Sequence, residues 1–283
     1  MDPENATAEN TAAGRFAGRR ALVTGASRGI GVGVAERLAA EGADVAITAR
    51  TLQPHDRIGG SLDETAARLR RYGHMVAVVV ADLTDDGDRA RVVPEAAEAL
   101  GGPVEILVNN AAAAIYQPLA EFPLKRRRIV FEANVHAPLD LAQAVIPAMR
   151  EAGEGWIVNV SSATARHWDG PPFALGAQGT TIALYGASKA ALNRVTNGLA
   201  AELHGTGIRV NTVEPRAAVL TEGAAALVGG TLRPDQIESL EEMVEAVVAL
   251  CDCPEDVTGR VTVSLDLLAE WQLTAKGLDG TTR

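Results

Sequence analysis

Aromatic residues are scarce in this chain, at 4% of its 283 residues. That scarcity argues against an aromatic-rich binding surface, while the wealth of Ala, Gly and Val suits close packing of helices on a sheet. Cysteine is nearly absent, with only Cys251 and Cys253 present. Two thiols make no disulfide framework, and one near pair supplies too few ligands for a structural zinc. Both read as reduced thiols of an intracellular protein. No uninterrupted apolar run reaches membrane-spanning length, and the polar segment Met1–Gly14 carries no apolar signal-peptide core. The expectation is a cytoplasmic protein without a membrane partner. Positive charge is in deficit as well, the formal net charge being -10. An acidic balance repels a phosphate backbone, which excludes nucleic acid as the expected partner. The one basic run, Lys125-Arg126-Arg127-Arg128, sits among Leu124, Ile129, Val130 and Phe131 and reads as the solvated face of an amphipathic helix.

What is present is a regular alternation. Short apolar runs, read as strands, lie at Ala21–Thr24, Asp44–Ala49, Met75–Val80, Val104–Val108, Trp156–Val160, Ile208–Val213 and Val261–Leu265. Between them, helical periodicity runs over Ile30–Glu41, Ser61–Tyr72, Gly87–Leu100, Pro123–Arg150, Tyr185–His204 and Gln236–Cys251. Near-continuous β-branched strands separated by helices predict an α/β fold, a doubly wound parallel sheet covered on both faces. Irregular segments at Leu52–Gly60, Ala163–Leu184 and Arg216–Pro234 each follow a strand's carboxyl end, the edge where such sheets bind ligands.

Thr24-Gly25-Ala26-Ser27-Arg28-Gly29-Ile30-Gly31 links the first strand to the first helix. A pyrophosphate must approach the backbone closely there, which a Cβ would block, and the helix start then offers unpaired amides. An acidic residue ending the second strand would bind a ribose 2′-hydroxyl and repel a 2′-phosphate. That strand ends Ile47-Thr48-Ala49-Arg50, without a carboxylate. Arg28 and Arg50 thus form a candidate clamp for a phosphate monoester, which favours NADP(H) over NAD(H).

Tyr185-Gly186-Ala187-Ser188-Lys189 opens a predicted helix, and residues four apart share a face. A neighbouring ammonium favours the phenolate, making Tyr185 a candidate general acid/base for carbonyl–alcohol interconversion. The strand ending in Ser161-Ser162 places hydroxyls at the same sheet edge. Ser162 is the candidate donor to the substrate oxygen, with Ser161 the alternative.

With these pieces in place, residues 17–266 resemble the short-chain dehydrogenase/reductase family, a single Rossmann-like domain. Besides the glycine loop, the matching motifs are Asp82-Leu83, Asn109-Asn110-Ala111, Asn134, Ser162, Tyr185 with Lys189, Asn211 with Pro215, and Thr258-Gly259. The resemblance implies a small-molecule carbonyl or alcohol substrate and a cofactor site that includes Gly25, Ser27, Arg28, Gly29, Ile30, Gly31, Ala111 and Pro215. It implies that Lys189 binds the nicotinamide ribose and lowers the Tyr185 pKa. Asn134 would hold a water linking Lys189 to solvent. Asp82 and Leu83 would contact the adenine, and Asn109 would brace sheet and cofactor. Dimers or tetramers are implied too, consistent with the Ala-rich faces of the predicted helices Pro123–Arg150 and Tyr185–His204. Residues 1–16 are expected as a flexible segment and 267–283 as a tail.

The chain departs from the family at Ala112 and Arg216, where glycines are usual, and at Asp266-Leu267-Leu268, where Asp-Gly-Gly is usual. The stretch between Ser162 and Tyr185 is also longer than usual, and it contains Arg166, His167, Trp168 and Phe173. Arg216 stands open to three readings: an anionic substrate group, the pyrophosphate, or solvent. His167 reads as a loop residue. The small apolar run Ala224–Leu232 suggests an apolar or mixed carbonyl substrate. Two further readings stay open: an NAD(H)-dependent dehydrogenase, and a dinucleotide-binding regulatory protein that has lost turnover.

Overall fold

Strand periodicity explains the sheet. In β1 (Arg20–Thr24), Ala21 and Val23 face one core while Leu22 faces the other. The same alternation runs through β4 (Ile106–Asn109) and β5 (Gly155–Val160), where Leu107 and Ile157 point away from Ile106, Trp156 and Val158. Side chains of period two that are apolar on both faces require a layer of helices on each side.

The computed structural model describes residues 14–54, 59–173, 175, 179–216, 218–219, 221 and 237–282. The remaining strands of the main sheet are β2 (Asp44–Ala49), β3 (Val76–Val80), β6 (Ile208–Glu214) and β9 (Val261–Val263). All seven run parallel, in the order β3-β2-β1-β4-β5-β6-β9. The first three strands step one way from β1 and the next three step the other way from β4. The carboxyl ends of β1 and β4 therefore flank the crevice where strand order reverses. A separate two-stranded ribbon pairs β7 (Ala218–Val219) with β8 (Ile237–Glu238). Among the described residues no helix is long and apolar enough to cross a membrane. The run Ala224–Leu232 lies outside the described residues.

The helices are α1 (Gly29–Ala40), α2 (Leu62–Leu69), α3 (Asp86–Ala99), α4 (Leu124–Phe131), α5 (Ala137–Ala152), α6 (Ala183–Glu202), α7 (Leu240–Leu250) and α8 (Ser264–Glu270). Ser61 caps the start of α2, its hydroxyl accepting from the Glu64 amide at 3.2 Å. The predicted helix Pro123–Arg150 is interrupted by a π turn at Glu132–His136. Pro138 accounts for it, because its nitrogen cannot donate to the carbonyl of Asn134 and the helical register slips by one residue. The basic run lies exposed on α4 while Val130 is buried.

The expected last strand, Val261–Leu265, stops at Val263. Ser264 begins α8 instead, its hydroxyl donating to the buried Glu238 carboxylate at 2.7 and 2.9 Å. Asn211 fastens β9 to its neighbour, its amide donating to Val257 O at 2.7 Å and its Oδ1 accepting from Arg260 N at 3.0 Å.

The boundaries drawn at 16 and 266 do not mark the limits of packing. Phe16 is buried, Leu267 is buried, and Leu273 and Leu278 pack on the same core. Arg37, wholly buried in α1, pairs with Glu41 of its own helix and with Glu245 of α7 at 2.5 Å, and donates to Gly277 O at 2.9 Å. One guanidinium thus ties α1, α7 and the C-terminal segment together. Replacing Arg37 with Ala leaves Glu245 buried and uncompensated, at a cost of about 3–5 kcal/mol. Thermal unfolding of the Arg37→Ala variant should show Tm lower by roughly 10 °C.

Candidate active site

At the crevice, Thr24 acts as the stitch between the two halves of the sheet. Its Oγ1 accepts from the amides of Asn110 and Ala111, both at 3.0 Å. The Asn110 side chain returns a hydrogen bond to Thr24 O at 2.9 Å. Sequence reasoning assigned the bracing role to Asn109. Its amide does brace the sheet, donating to Asn159 Oδ1 at 2.9 Å, but Asn110 is the residue that holds the loop. Both asparagines stand in the quoted motif, and only the register of β4 decides which faces β1.

The glycine loop has little room. A Cβ on Gly31 would sit 2.5 Å from Gly25 O and from Asn110 Nδ2, and one on Gly25, where φ is +66°, would lie 2.8 Å from Ala111 Cα. Ser27 and Gly29 are buried and Ile30 is half-buried against the core. Arg28 caps α1 with extended backbone and makes no side-chain cap bond. Thr221 leans over Gly29, its Cβ 3.1 Å from where a Gly29 Cβ would be.

Arg28 is half-buried and Arg50 is exposed. Arg50 lies 3.8 Å from the Asp82 carboxylate, a pairing unforeseen in the sequence because strands β2 and β3 had first to be set side by side. Asp82 also caps its own turn, accepting from Thr84 N at 3.0 Å, while Leu83 is buried. Pro215 is half-buried after β6. Arg216 pairs with Asp266 in the first turn of α8, so its side chain is occupied by the protein itself. Ala112 is exposed, and its methyl is not crowded into the core.

The catalytic candidates converge as the helix spacing requires. Tyr185 and Lys189 lie on α6, the Lys189 Nζ 6.0 Å from the Tyr185 ring centre. Ser162, just past β5, lies near enough to the Tyr185 hydroxyl to pull its pKa downward. Its own Oγ accepts from Thr164 N at 3.3 Å and from Thr164 Oγ1 at 3.0 Å. Ser161, the alternative, is buried. Asn134, in the π turn, is buried; its Oδ1 accepts from Ala113 N at 2.7 Å and its Nδ2 donates to Ser188 Oγ at 2.9 Å. Its side chain therefore positions the β4 loop against α6.

The electrostatics depart from the sequence expectation. Lys189 is buried, donates to Val160 O at 2.7 Å, and is pushed by desolvation down to about 8. Burial moves Tyr185 the other way: desolvation, and then the nearby Tyr116, raise its pKa, and the neighbouring Ser162 hydroxyl only partly offsets them. The phenol is thus held protonated, and no lowering by Lys189 is evident. Tyr116, whose ring centre is 5.9 Å from that of Tyr185, is a neighbour for which the sequence carries no signal. His167 is exposed and Trp168 half-buried.

A family model for short chain dehydrogenase matches residues 19–228. The hydroxysteroid dehydrogenase-like protein 2 of Danio rerio is 31% identical over 261 residues, covering 90% of this chain and 59% of that protein. Its namesake in Homo sapiens is 30% identical over 263 residues, covering 91% and 59%. The chain thus spans about three-fifths of the length of these curated relatives. Among solved structures, a 3-oxoacyl (acyl-carrier-protein) reductase of Agrobacterium tumefaciens with NADP bound superposes with a TM-score of 0.72 at 27% identity, covering 88% of this chain and 93% of that one. A short-chain type dehydrogenase/reductase of Mycobacterium marinum gives 0.73 at 28% identity, covering 88% and 94%. The seven-stranded parallel sheet agrees with these matches, and the chain belongs to the short chain dehydrogenase family.

Proposed function

We propose that this chain is an NADP(H)-dependent oxidoreductase that interconverts a carbonyl and a secondary alcohol, with Tyr185 as the general acid/base. The observation that carries this reading is the convergence of Ser162, Tyr185 and Lys189 at one point of the sheet's carboxyl edge, with the phenol kept protonated by burial. A protonated phenol is the form that carbonyl reduction requires. Tyr185 gives its proton to the carbonyl oxygen, and the Ser162 hydroxyl donates to the same oxygen as negative charge develops there.

The residues fit a dinucleotide. Glycines 25, 29 and 31 leave three positions of the loop without a Cβ, and the start of α1, where Arg28 makes no side-chain cap bond, suits a pyrophosphate. When bound, the nicotinamide supplies or accepts the hydride. Lys189 would hold its ribose, and Arg28 with Arg50 would hold a 2′-phosphate. The Arg50–Asp82 pair is mostly exposed and therefore weak, so a phosphate competes with it easily. Because the Asn134 side chain is committed to Ala113 and Ser188, a water leading to Lys189 would sit on its backbone carbonyl, which Pro138 cannot serve. The observation favouring an NAD(H)-dependent dehydrogenase instead is that same Asp82 carboxylate, which partly neutralises Arg50.

Calorimetric titration with NADPH and NADH separates these readings. NADPH should bind more tightly, and Arg28→Ala/Arg50→Ala should weaken it by about tenfold or more while leaving NADH unchanged. Equal losses for both cofactors would remove the clamp. Tyr185→Phe should lower carbonyl reduction by about a hundredfold to ten-thousandfold with NADPH affinity retained; near wild-type turnover in that variant would refute its assignment as acid.

The Lys189 pKa carries a stability consequence. The folded value, about 8, lies below the ordinary 10.5. Above pH 8 the folded state therefore binds fewer protons than the unfolded one, and stability rises with pH until the unfolded lysine also titrates. Relative to Lys189→Met, the wild-type protein should gain about 3 kcal/mol between pH 7 and pH 10.5, measured by urea unfolding at each pH.

A further inference from the structure

Two buried carboxylates on the carboxyl side of the sheet have no part in the proton transfer. One, Glu238, is occupied by Ser264 and the Arg216 amide and anchors the β7–β8 ribbon. The other, Glu214, is the last residue of β6, and its side chain is only 6% exposed. Arg166 reaches it from the inserted segment that follows β5. Arg166 Nε donates to Glu214 Oε1 at 2.8 Å, and a terminal nitrogen of the same guanidinium lies 2.7 Å from that oxygen. Burial raises the pKa of the Glu214 carboxylate, and Arg166 offsets part of that rise.

The residues between Ser162 and Arg166 form a short 3-10 turn, with Ala165 N donating to Ser162 O at 2.9 Å. That turn is held at three points. Its start is capped by the Ser162 hydroxyl. Its middle lies flat on α6, where the Thr164 carbonyl comes within 2.3 Å of the position a Gly186 Cβ would take. Its end is fastened by Arg166 to β6. Gly186 directly follows Tyr185, so any lifting of the turn alters the separation between the Ser162 and Tyr185 hydroxyls.

From this arrangement we infer that Arg166 and Glu214 are positioning residues for the reaction, a latch that holds the Ser162 hydroxyl against Tyr185. The inference rests on the acid role of Tyr185 proposed above. It also explains the lengthened stretch after Ser162. The extra chain needs a fastening of its own, and it carries the arginine while β6 carries the carboxylate. A misplacement of a donor by about 1 Å is enough to slow a reaction by a hundredfold, so a single ion pair at the end of the turn controls rate without touching substrate. NADPH binding, which draws on the glycine loop and β2, should be indifferent to it.

The test compares wild type, Arg166→Met, Arg166→Lys, the double variant Arg166→Met/Glu214→Gln, and Tyr185→Phe. The probes are NADPH and phenanthrenequinone, a planar dione, together with hydrogen–deuterium exchange of the peptide covering 161–170. We expect Arg166→Met to lower kcat by at least about tenfold, with NADPH affinity within about twofold of wild type. Exchange at 163–166 should quicken, and Arg166→Lys should restore part of both. The double variant leaves no uncompensated buried charge, so its Tm should recover while its rate and its fast exchange do not. Recovery of rate and protection in the double variant would show that the pair only balances charge, and would overturn the inference. So would wild-type exchange in Arg166→Met, a result that decides the matter even if the dione is not turned over. Turnover persisting in Tyr185→Phe would instead remove the acid role, whereas an inactive Tyr185→Phe beside an unaltered Arg166→Met would remove the latch alone.

Discussion

Parallel pairing sets the terms for everything else in this protein. A strand that runs parallel to its neighbour must be reached by a crossover, so every strand delivers its carboxyl end to the same edge. Strand order then reverses between β1 and β4, and the two crossovers leaving them diverge. The glycine loop leaves one of those ends and the Asn109-Asn110-Ala111 segment leaves the other. β5 delivers Ser162 and β6 delivers Glu214 to the same edge, farther along the sheet. The chemical groups are gathered by topology before any of them makes a contact.

Charges buried at the meeting of segments do the fastening. Arg37 joins two helices to the C-terminal residues, Glu238 holds the β7–β8 ribbon to the start of α8, and Glu214 holds the turn after Ser162. Each is costly to strip of its partner, because a charge left alone in a low dielectric has nothing to replace water. Two groups lack an ion-pair partner among the described residues. Glu238 is held by a hydroxyl and a backbone amide, and burial raises its pKa. The Lys189 amine donates to one carbonyl, and burial lowers its pKa.

The fold was legible because its signals are local and repetitive. The apolar runs, the glycine loop and the Tyr185–Lys189 spacing each declare themselves within a few residues. What escaped the sequence depended on distant parts meeting. The Arg50–Asp82 approach needs β2 beside β3. The rise in the Tyr185 pKa needs Tyr116 and the depth of the site, neither of which a four-residue spacing reveals. The strand expected to reach Leu265 ends early because Ser264 finds Glu238, some two dozen positions away. The packed C-terminal residues were taken for a tail because their apolar members, Leu273 and Leu278, are too sparse to show a period. Even the π turn had its cause in plain view at Pro138, but a helical pattern read residue by residue does not register a slip of one.

That slip has a mechanical meaning. An α-helix advances about 100° per residue, so one extra residue in a turn rotates all that follows by that angle relative to what precedes. The π turn therefore acts as a phase shifter on a single long rod. Upstream, α4 turns its basic face outward; downstream, α5 seats Leu141, Val145 and Met149 on the sheet. Asn134 occupies the joint between the two phases, where it can reach back to Ala113 and across to Ser188. Deleting one residue from the joint would put the two halves out of step, so the defect in the rod is what allows one helix to serve surface, core and active site at once.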